Sequence, residues 1–240
     1  MIGSIIQVTL PGFALGAVVM LLANRQVTAG VARARWLKLA VFGLIVHGVL
    51  GAAALGRPWI VALLLVILGI GAWELAGAWR SIAAPRPRRV WGVYLVTAAL
   101  GLWATSLLSP AVFAFLFIVT AACDGFSQVV GQWLGRQQLA PVLSPGKTVE
   151  GLLGGLVAAA AVAVLARALV PLPVLAAAAL GVAIGLSGLA GDLSASWVKR
   201  RAGLKDYSAL LPGQGGVLDR FDSLLGALAL AGVALGSLLR

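Results

Sequence analysis

Pro58-Trp-Ile-Val-Ala-Leu-Leu-Leu-Val-Ile-Leu-Gly-Ile-Gly-Ala-Trp-Glu-Leu-Ala-Gly-Ala-Trp79 carries one ionisable residue, Glu74, in 22 positions. A helix of that length rises roughly 33 Å, about the thickness of a bilayer's hydrocarbon core. Reading outward gives seven more apolar runs: Ile2–Ala23, Trp36–Leu55, Val90–Leu108, Ala111–Val130, Val149–Leu169, Leu172–Ala195 and Asp219–Leu239. Of the 240 residues 61% are hydrophobic and 10% charged, with a mean hydropathy of +1.05. Soluble domains are nearer half apolar and a quarter charged. A lone Cys123 excludes a disulfide framework, and the hydrophobicity excludes disorder. The expectation is an all-α integral membrane protein, a polytopic bundle of about eight transmembrane helices. No polar linker divides residues 1–240, so one domain is expected. The first run lacks a basic n-region and a small-residue cleavage site and reads as a retained span.

Charge sets the orientation. The net charge is +11, but the basic residues sit between apolar runs rather than on one polar face, which argues against nucleic acid. Arg25, Arg33, Arg35, Lys38, Arg80, Arg86, Arg88, Arg89, Arg136, Lys147, Lys199, Arg200, Arg201, Lys205 and Arg220 fall on one side, and only Arg57, Arg167 and Arg240 on the other. Short translocated loops avoid Lys and Arg. Fifteen against three places the richer side in the cytoplasm of a bacterial-type inner membrane and both termini outside. The longest loops, near 131–148 and 196–218, then face the cytosol. Arg33–Lys38 and Arg86–Arg89 read as topology determinants contacting anionic lipids. Trp36 and Trp59, at helix ends, read as interfacial anchors.

All seven acids fall on that same side: Glu74, Asp124, Glu150, Asp192, Asp206, Asp219 and Asp222. Glu74 and Asp124 lie inside apolar helices, where an ionisable group is costly and normally faces a cavity, a partner or an ion. Taken singly, each acid could pair with a nearby base and merely hold helices together. Together, carboxylates beside lysines and arginines suit a divalent metal and a phosphorylated ligand around a cytoplasm-facing polar cavity. His47 reads as a bundle-interior or cavity residue and Cys123 as packing.

Two polar stretches carry the chemistry. In Ser144-Pro-Gly-Lys-Thr-Val-Glu-Gly151, Gly-Lys-Thr is not a P-loop, because Pro141 stands where that loop needs glycine and no strand precedes it. Ser144 or Thr148 is expected to cap a helix starting near Val149, with Glu150 in its first turn and Lys147 completing an anion site. In the second stretch, Gly191-Asp192 is expected to end one helix, and Asp219 and Asp222, three apart on one face, to begin the next. Between them Gly213, Gln214, Gly215 and Gly216 would let backbone approach a ligand closely.

The stretch from Ser196 to Asp222 resembles the signature of the phosphatidate cytidylyltransferase (CDP-diglyceride synthase) family. The matching residues are Ser196, Val198, Lys199, Arg200, Lys205, Asp206, Gly213, Gly215, Gly216, Val217, Asp219, Arg220 and Asp222. Gly191-Asp192 matches too, Ser144–Gly151 is similar to the family's second block, and Trp73-Glu74 resembles a third. Two departures stand out. Gln214 replaces the family's usual His, so it can contact phosphate but cannot shuttle a proton. Asp124-Gly-Phe-Ser-Gln128 stands where many members read Asp-Thr-x-Ala-Tyr, with the spacing to Gly131 and Gly135 kept.

The resemblance implies transfer of CMP from CTP to phosphatidate, with Mg²⁺ and a monovalent cation such as K⁺, at the cytoplasmic face and in a homodimer. It implies Asp192 and Asp219 as metal carboxylates with Asp222 near them. Lys147, Lys199, Arg200, Lys205 and Arg220 would bind phosphates, with Ser144, Thr148, Glu150, Ser196, Asp206, Asp124 and the 213–216 loop lining the site. The chemistry is consistent, since a lipid phosphate oxygen is already a nucleophile and needs no Ser–His or Cys–His pair. Two alternatives stay open: a CTP-dependent lipid kinase of the polyprenol type, and a catalytically silent paralogue that binds CTP or lipid. A CDP-alcohol phosphotransferase lacks support because Ala-Arg does not follow Asp124-Gly125. A small-anion transporter lacks support because no paired broken helices appear.

Overall fold

The computed structural model describes residues 2–25, 27–80 and 87–238. Arg86 and Arg240, which contribute to the charge asymmetry, lie outside the described residues. Helices run over α1 (Ile2–Ala23), α2 (Ala29–Leu55), α3 (Arg57–Arg80), α4 (Pro87–Leu107), α5 (Pro110–Leu134), α6 (Val149–Leu165) and α7 (Val174–Arg201). A last helical rod comprises α8 (Leu218–Ala227), a π turn (Leu228–Gly232) and α9 (Val233–Leu238). Among the described residues five helices, α2, α3, α4, α5 and α7, are long and apolar enough to cross a membrane. The chain is an all-α polytopic membrane protein.

The centre is α5. Ser109 caps it by accepting from the Val112 N–H at 3.3 Å, with Pro110 at the first helical position. From Phe113 to Thr120 every side chain is buried. Helices α5, α6, α7 and α8 pack in succession, α3 and α4 close on α8 and the π turn, and α1 rests on α2. Between α5 and α8 the close crossings fall on glycines. A Cβ at Gly226 on α8 would lie 2.5 Å from the Gly191 Cα on α7 and 2.8 Å from the Ser187 carbonyl. A Cβ at Gly181 would lie 2.5 Å from the Ala159 carbonyl on α6. Without a hydrophobic force between helices in lipid, such small-residue contacts carry association. They bring Asp192, one residue beyond Gly191, beside Asp222.

Two features depart from the sequence expectation. First, the 131–148 loop is shorter, because α5 continues to Leu134 and the chain then folds into an antiparallel hairpin of β1 (Gln138–Ala140) and β2 (Ser144–Thr148). Two strands alone are marginal. Here the Glu150 carboxylate accepts from the Arg136 and Gln137 N–H groups at 3.0 and 3.2 Å, and Arg200 donates to the Leu143 carbonyl at 3.1 Å. Second, α7 runs six residues past Ala195, so Asp192 sits within the helix instead of at its end. Lys199, Arg200 and Arg201 complement the C-terminal dipole. Gly203 (φ +66°) closes the helix, with Gly203 and Leu204 N–H groups bonding the Arg200 and Lys199 carbonyls. His47, on α2, is exposed and takes the cavity alternative. It lines an apolar cleft of about 410 Å³ between α2 and α3 with Gly51 and Trp59, and its Nδ1 bonds the Gly43 carbonyl.

The Gly191–Gly226 crossing is testable. Gly226→Val should destabilise by about 1–3 kcal/mol, because backbone rather than a flexible side chain meets the new methyls. Gly69→Ala, with open space around it, should be neutral or slightly stabilising. Thermal unfolding of the detergent-solubilised protein measures both, and equal midpoints would remove the crossing from the argument.

Candidate functional site

The start of α8 is where the polar residues meet. The first N–H groups of a helix lack intrahelical partners and carry partial positive charge. Here two acids take them. Glu74 reaches across from α3, its Oε1 accepting from Val217 N–H at 2.9 Å and its Oε2 from Leu218 N–H at 2.8 Å. The Ser208 hydroxyl donates to Oε1 at 2.6 Å. Asp219 folds back so that its Oδ2 accepts from Gly216 N–H at 2.9 Å and Tyr207 N–H at 2.8 Å. Both side chains are shut from solvent, Asp219 at 1% exposure and Glu74 at 2% as a residue. Gly216 is required here, since a Cβ there would come within 2.5 Å of Glu74 Oε1.

Lys199, near the end of α7, donates to Asp219 Oδ1 at 2.8 Å and lies 3.9 Å from Asp222 Oδ2. Its ammonium also sits 5.4 Å from the centre of the Tyr207 ring. Lys147, from β2, pairs with Asp192 Oδ2, and the Ser196 hydroxyl donates to Asp192 Oδ1 at 3.3 Å. Burial disfavours the Lys147 ammonium, but Asp192 beside it, with Asp124 and Asp222, outweighs that and holds its pKa above the ordinary lysine value. Asp124 on α5 lies beside Ser223 and within electrostatic reach of Lys147, Asp192 and Arg220. Burial, then Asp222 and Asp219, push the Tyr207 phenol above its ordinary value, so it stays protonated.

Four carboxylates (Asp124, Asp192, Asp219 and Asp222) thus face a buried ammonium, Lys199, and a half-buried one, Lys147, with the Arg220 guanidinium at the edge. Among the described residues no three acid, histidine or cysteine side chains are grouped to hold a metal unaided. Mg²⁺, however, usually takes one or two carboxylates and completes its shell with water and substrate phosphate. The hard-oxygen donors fit that ion. Asp219 could offer only Oδ1, the oxygen now facing Lys199, because Oδ2 is held by two backbone donors.

The remaining sequence candidates divide. Thr148, not Ser144, caps α6, accepting from Gly151 N–H at 3.1 Å; Ser144 opens β2. Glu150 and Arg200 brace the hairpin instead of facing the carboxylates. Lys205 and Asp206 are exposed. Gly213 (φ +70°) and Gly215 (φ +86°) shape a tight turn in which Leu211 N–H bonds the Gly215 carbonyl at 2.8 Å. Gln214 bonds Arg220 and α2 at once, its Oε1 accepting from Arg220 at 3.1 Å and its Nε2 donating to the Lys38 carbonyl at 2.9 Å. The sequence reading did not place Tyr207, Ser208, Ser223 or Lys38 at the site. Tyr207 and Ser208 directly follow Asp206 and Ser223 follows Asp222, so the motif's flanks held that signal; Lys38 has none.

Beside Asp222 opens a cavity of about 280 Å³ between α4, α7 and α8. Its lining is chiefly apolar, and Val93, Val96 and Leu230 carry it to the exposed apolar surface.

Comparison with known proteins gives the family. A phosphatidate cytidylyltransferase of Brucella abortus (strain 2308) is 44% identical over 117 residues, covering 48% of this chain and 43% of its own length. One from Synechocystis sp. is 41% identical over 132 residues, 51% of this chain and 45% of its own. The Escherichia coli (strain K12) protein named "Uncharacterized protein YnbB" is 44% identical over 112 residues, 46% of this chain and 38% of its own. In each case the match spans less than half of the relative. The profile of the cytidylyltransferase family, by contrast, matches residues 19–238, and the chain belongs to that family.

Proposed function

We propose that this chain is a phosphatidate cytidylyltransferase, transferring CMP from CTP to phosphatidate at the cytoplasmic membrane face. The observation that carries this reading is the set of four carboxylates around Lys147 and Lys199, joined to an apolar cavity that ends at Asp222. A phospholipid needs both surroundings at once, charged for its headgroup and apolar for its chains. In the reaction a phosphatidate oxygen attacks the α-phosphorus of CTP, a new P–O bond forms, and the bond to the β-phosphate oxygen breaks. CDP-diacylglycerol and pyrophosphate result. Catalysis of such a step rests on positioning and on neutralising phosphate charge.

Each residue's role follows from its surroundings. Lys147 and Lys199 exchange carboxylate partners for phosphate oxygens when substrates arrive. Arg220, exposed at the edge of the cluster, offers a guanidinium to phosphate. Asp192, Asp219 and Asp222 would hold Mg²⁺, which supplies further charge neutralisation at the phosphates. Glu74 and the Asp219 Oδ2 fix the start of α8. The tight turn at 213–216 brings the protein's own backbone onto Glu74 and Asp219. The fifteen basic residues counted from the sequence support a cytoplasmic site.

Two measurements test the reading. Detergent-purified protein given phosphatidate, radiolabelled CTP and Mg²⁺ should form CDP-lipid, and chelation should stop it. Asp192→Asn and Lys199→Met should each lower kcat/KM by about 10² or more, the cost of one charge-assisted contact in a desolvated site. A phosphorylated alcohol from diacylglycerol or polyprenol would indicate the lipid kinase, and CTP binding without turnover the silent paralogue. For the cavity, Thr97→Trp should raise KM for phosphatidate several-fold while leaving KM for CTP unchanged. Equal effects on both substrates would remove the lipid from that cavity.

A further inference from the structure

Lys38 lies in a cluster that reads from sequence as a topology determinant. The fold gives it a different setting. Its stem runs along the glycine turn, with Cγ and Cε 3.1 and 3.2 Å from where a Gly213 Cβ would stand. Its backbone carbonyl accepts from the Gln214 amide at 2.9 Å, and the same amide's oxygen accepts from Arg220 at 3.1 Å. One side chain therefore joins α2, the turn and α8. We propose that Lys38 is a phosphate-binding residue of the active site and that Gln214 is the positioning residue that ties the α2 backbone at Lys38 to the Arg220 guanidinium.

This role rests on the transferase reading above. Lys38 and Arg220 are both exposed beside the glycine turn, Lys38 through the stem that lies on Gly213 and Arg220 through its bond to Gln214. Gln214 holds the Lys38 backbone carbonyl, not its ammonium, so the bridge fixes where α2 meets the turn and leaves the ammonium at the end of the stem to meet a ligand. The amide can do this because it donates at one end and accepts at the other without ionising. The groups facing this bridge are Lys38 from α2, Arg220 from α8, and Asp206 and Asp219, which line the adjoining Gly215. A phosphate group is the ligand that cations from α2 and α8 at one turn fit. It can come from CTP or from phosphatidate.

Steady-state kinetics on the purified full-length protein separate these. Lys38→Met leaves the backbone carbonyl, and hence the Gln214 bridge, in place. It should raise KM about tenfold, for CTP if the phosphate is the nucleotide's and for phosphatidate if it is the lipid's, with Lys38→Arg recovering most of the loss. Gln214→Ala should raise the same KM and also lower kcat, since Arg220 is released. At pH 8 Gln214→His should restore much of it, because neutral imidazole also donates and accepts. Unchanged melting temperatures keep these from being folding defects. If the parent protein makes no CDP-lipid, the transferase reading itself fails. If the parent is active and Lys38→Met or Gln214→Ala leaves both KM values where they were, this inference alone is overturned.

Discussion

The start of α8 depends on an acid from another helix. Glu74 crosses from α3 to take two N–H groups that no helix can satisfy for itself, and Asp219 takes a third from within. A buried carboxylate is tolerable only with donors at its oxygens. Here the requirement runs both ways, since the N–H groups of Val217 and Leu218 are buried too and need acceptors. The pairing fixes where α8 begins, how α3 and α8 lie together, and which way Asp219 points. Removing the carboxylate would leave three donors, with Ser208, unpaired in a dry place.

From that anchor the chemistry follows by geometry. Asp219 is turned so that Oδ2 serves the backbone and Oδ1 faces Lys199. Three residues on, Asp222 shares the helix face and comes within 3.9 Å of the same ammonium. The glycine crossing at Gly191 and Gly226 then draws α7 close enough for Asp192 to join. A side chain at either glycine would separate the carboxylates before it altered any of them. The packing of small residues is thus a condition of the electrostatics.

What could be read from the sequence follows physical range. The helices were legible because lipid demands long apolar runs, and Pro58–Trp79 states that plainly. Asp192, Lys199, Asp219 and Asp222 were legible because their spacing matches a known signature. The Gly203 stop after Lys-Arg-Arg was also present in the sequence, yet an apolar count ends α7 at Ala195, since polar turns beyond the membrane add nothing to it. The hairpin is held by Glu150, which reaches back over it to Arg136 and Gln137, and by Arg200, 57 residues from Leu143, and no local pattern announces them. His47 shows the same limit: one polar side chain on an apolar helix does not say which face it occupies. Lys38 looked like every other basic residue near a membrane. Only the fold separates it from Arg33 and Arg35 by setting its stem on Gly213.

The arrangement also suits the proposed reaction, in which the site would receive two polyanions without collapsing. Exposed cations alone would repel one another, and buried acids alone would protonate or unfold the turn. Interleaving them would let Lys147 and Lys199 rest on carboxylates until phosphate oxygens compete for them. The proposed exchange needs little rearrangement, because both ammonium groups end on flexible stems while their carboxylates sit on packed helices. The rigid partner is therefore the negative one. A site whose fixed framework is anionic holds its cations ready and confines motion to the groups that must meet the substrate.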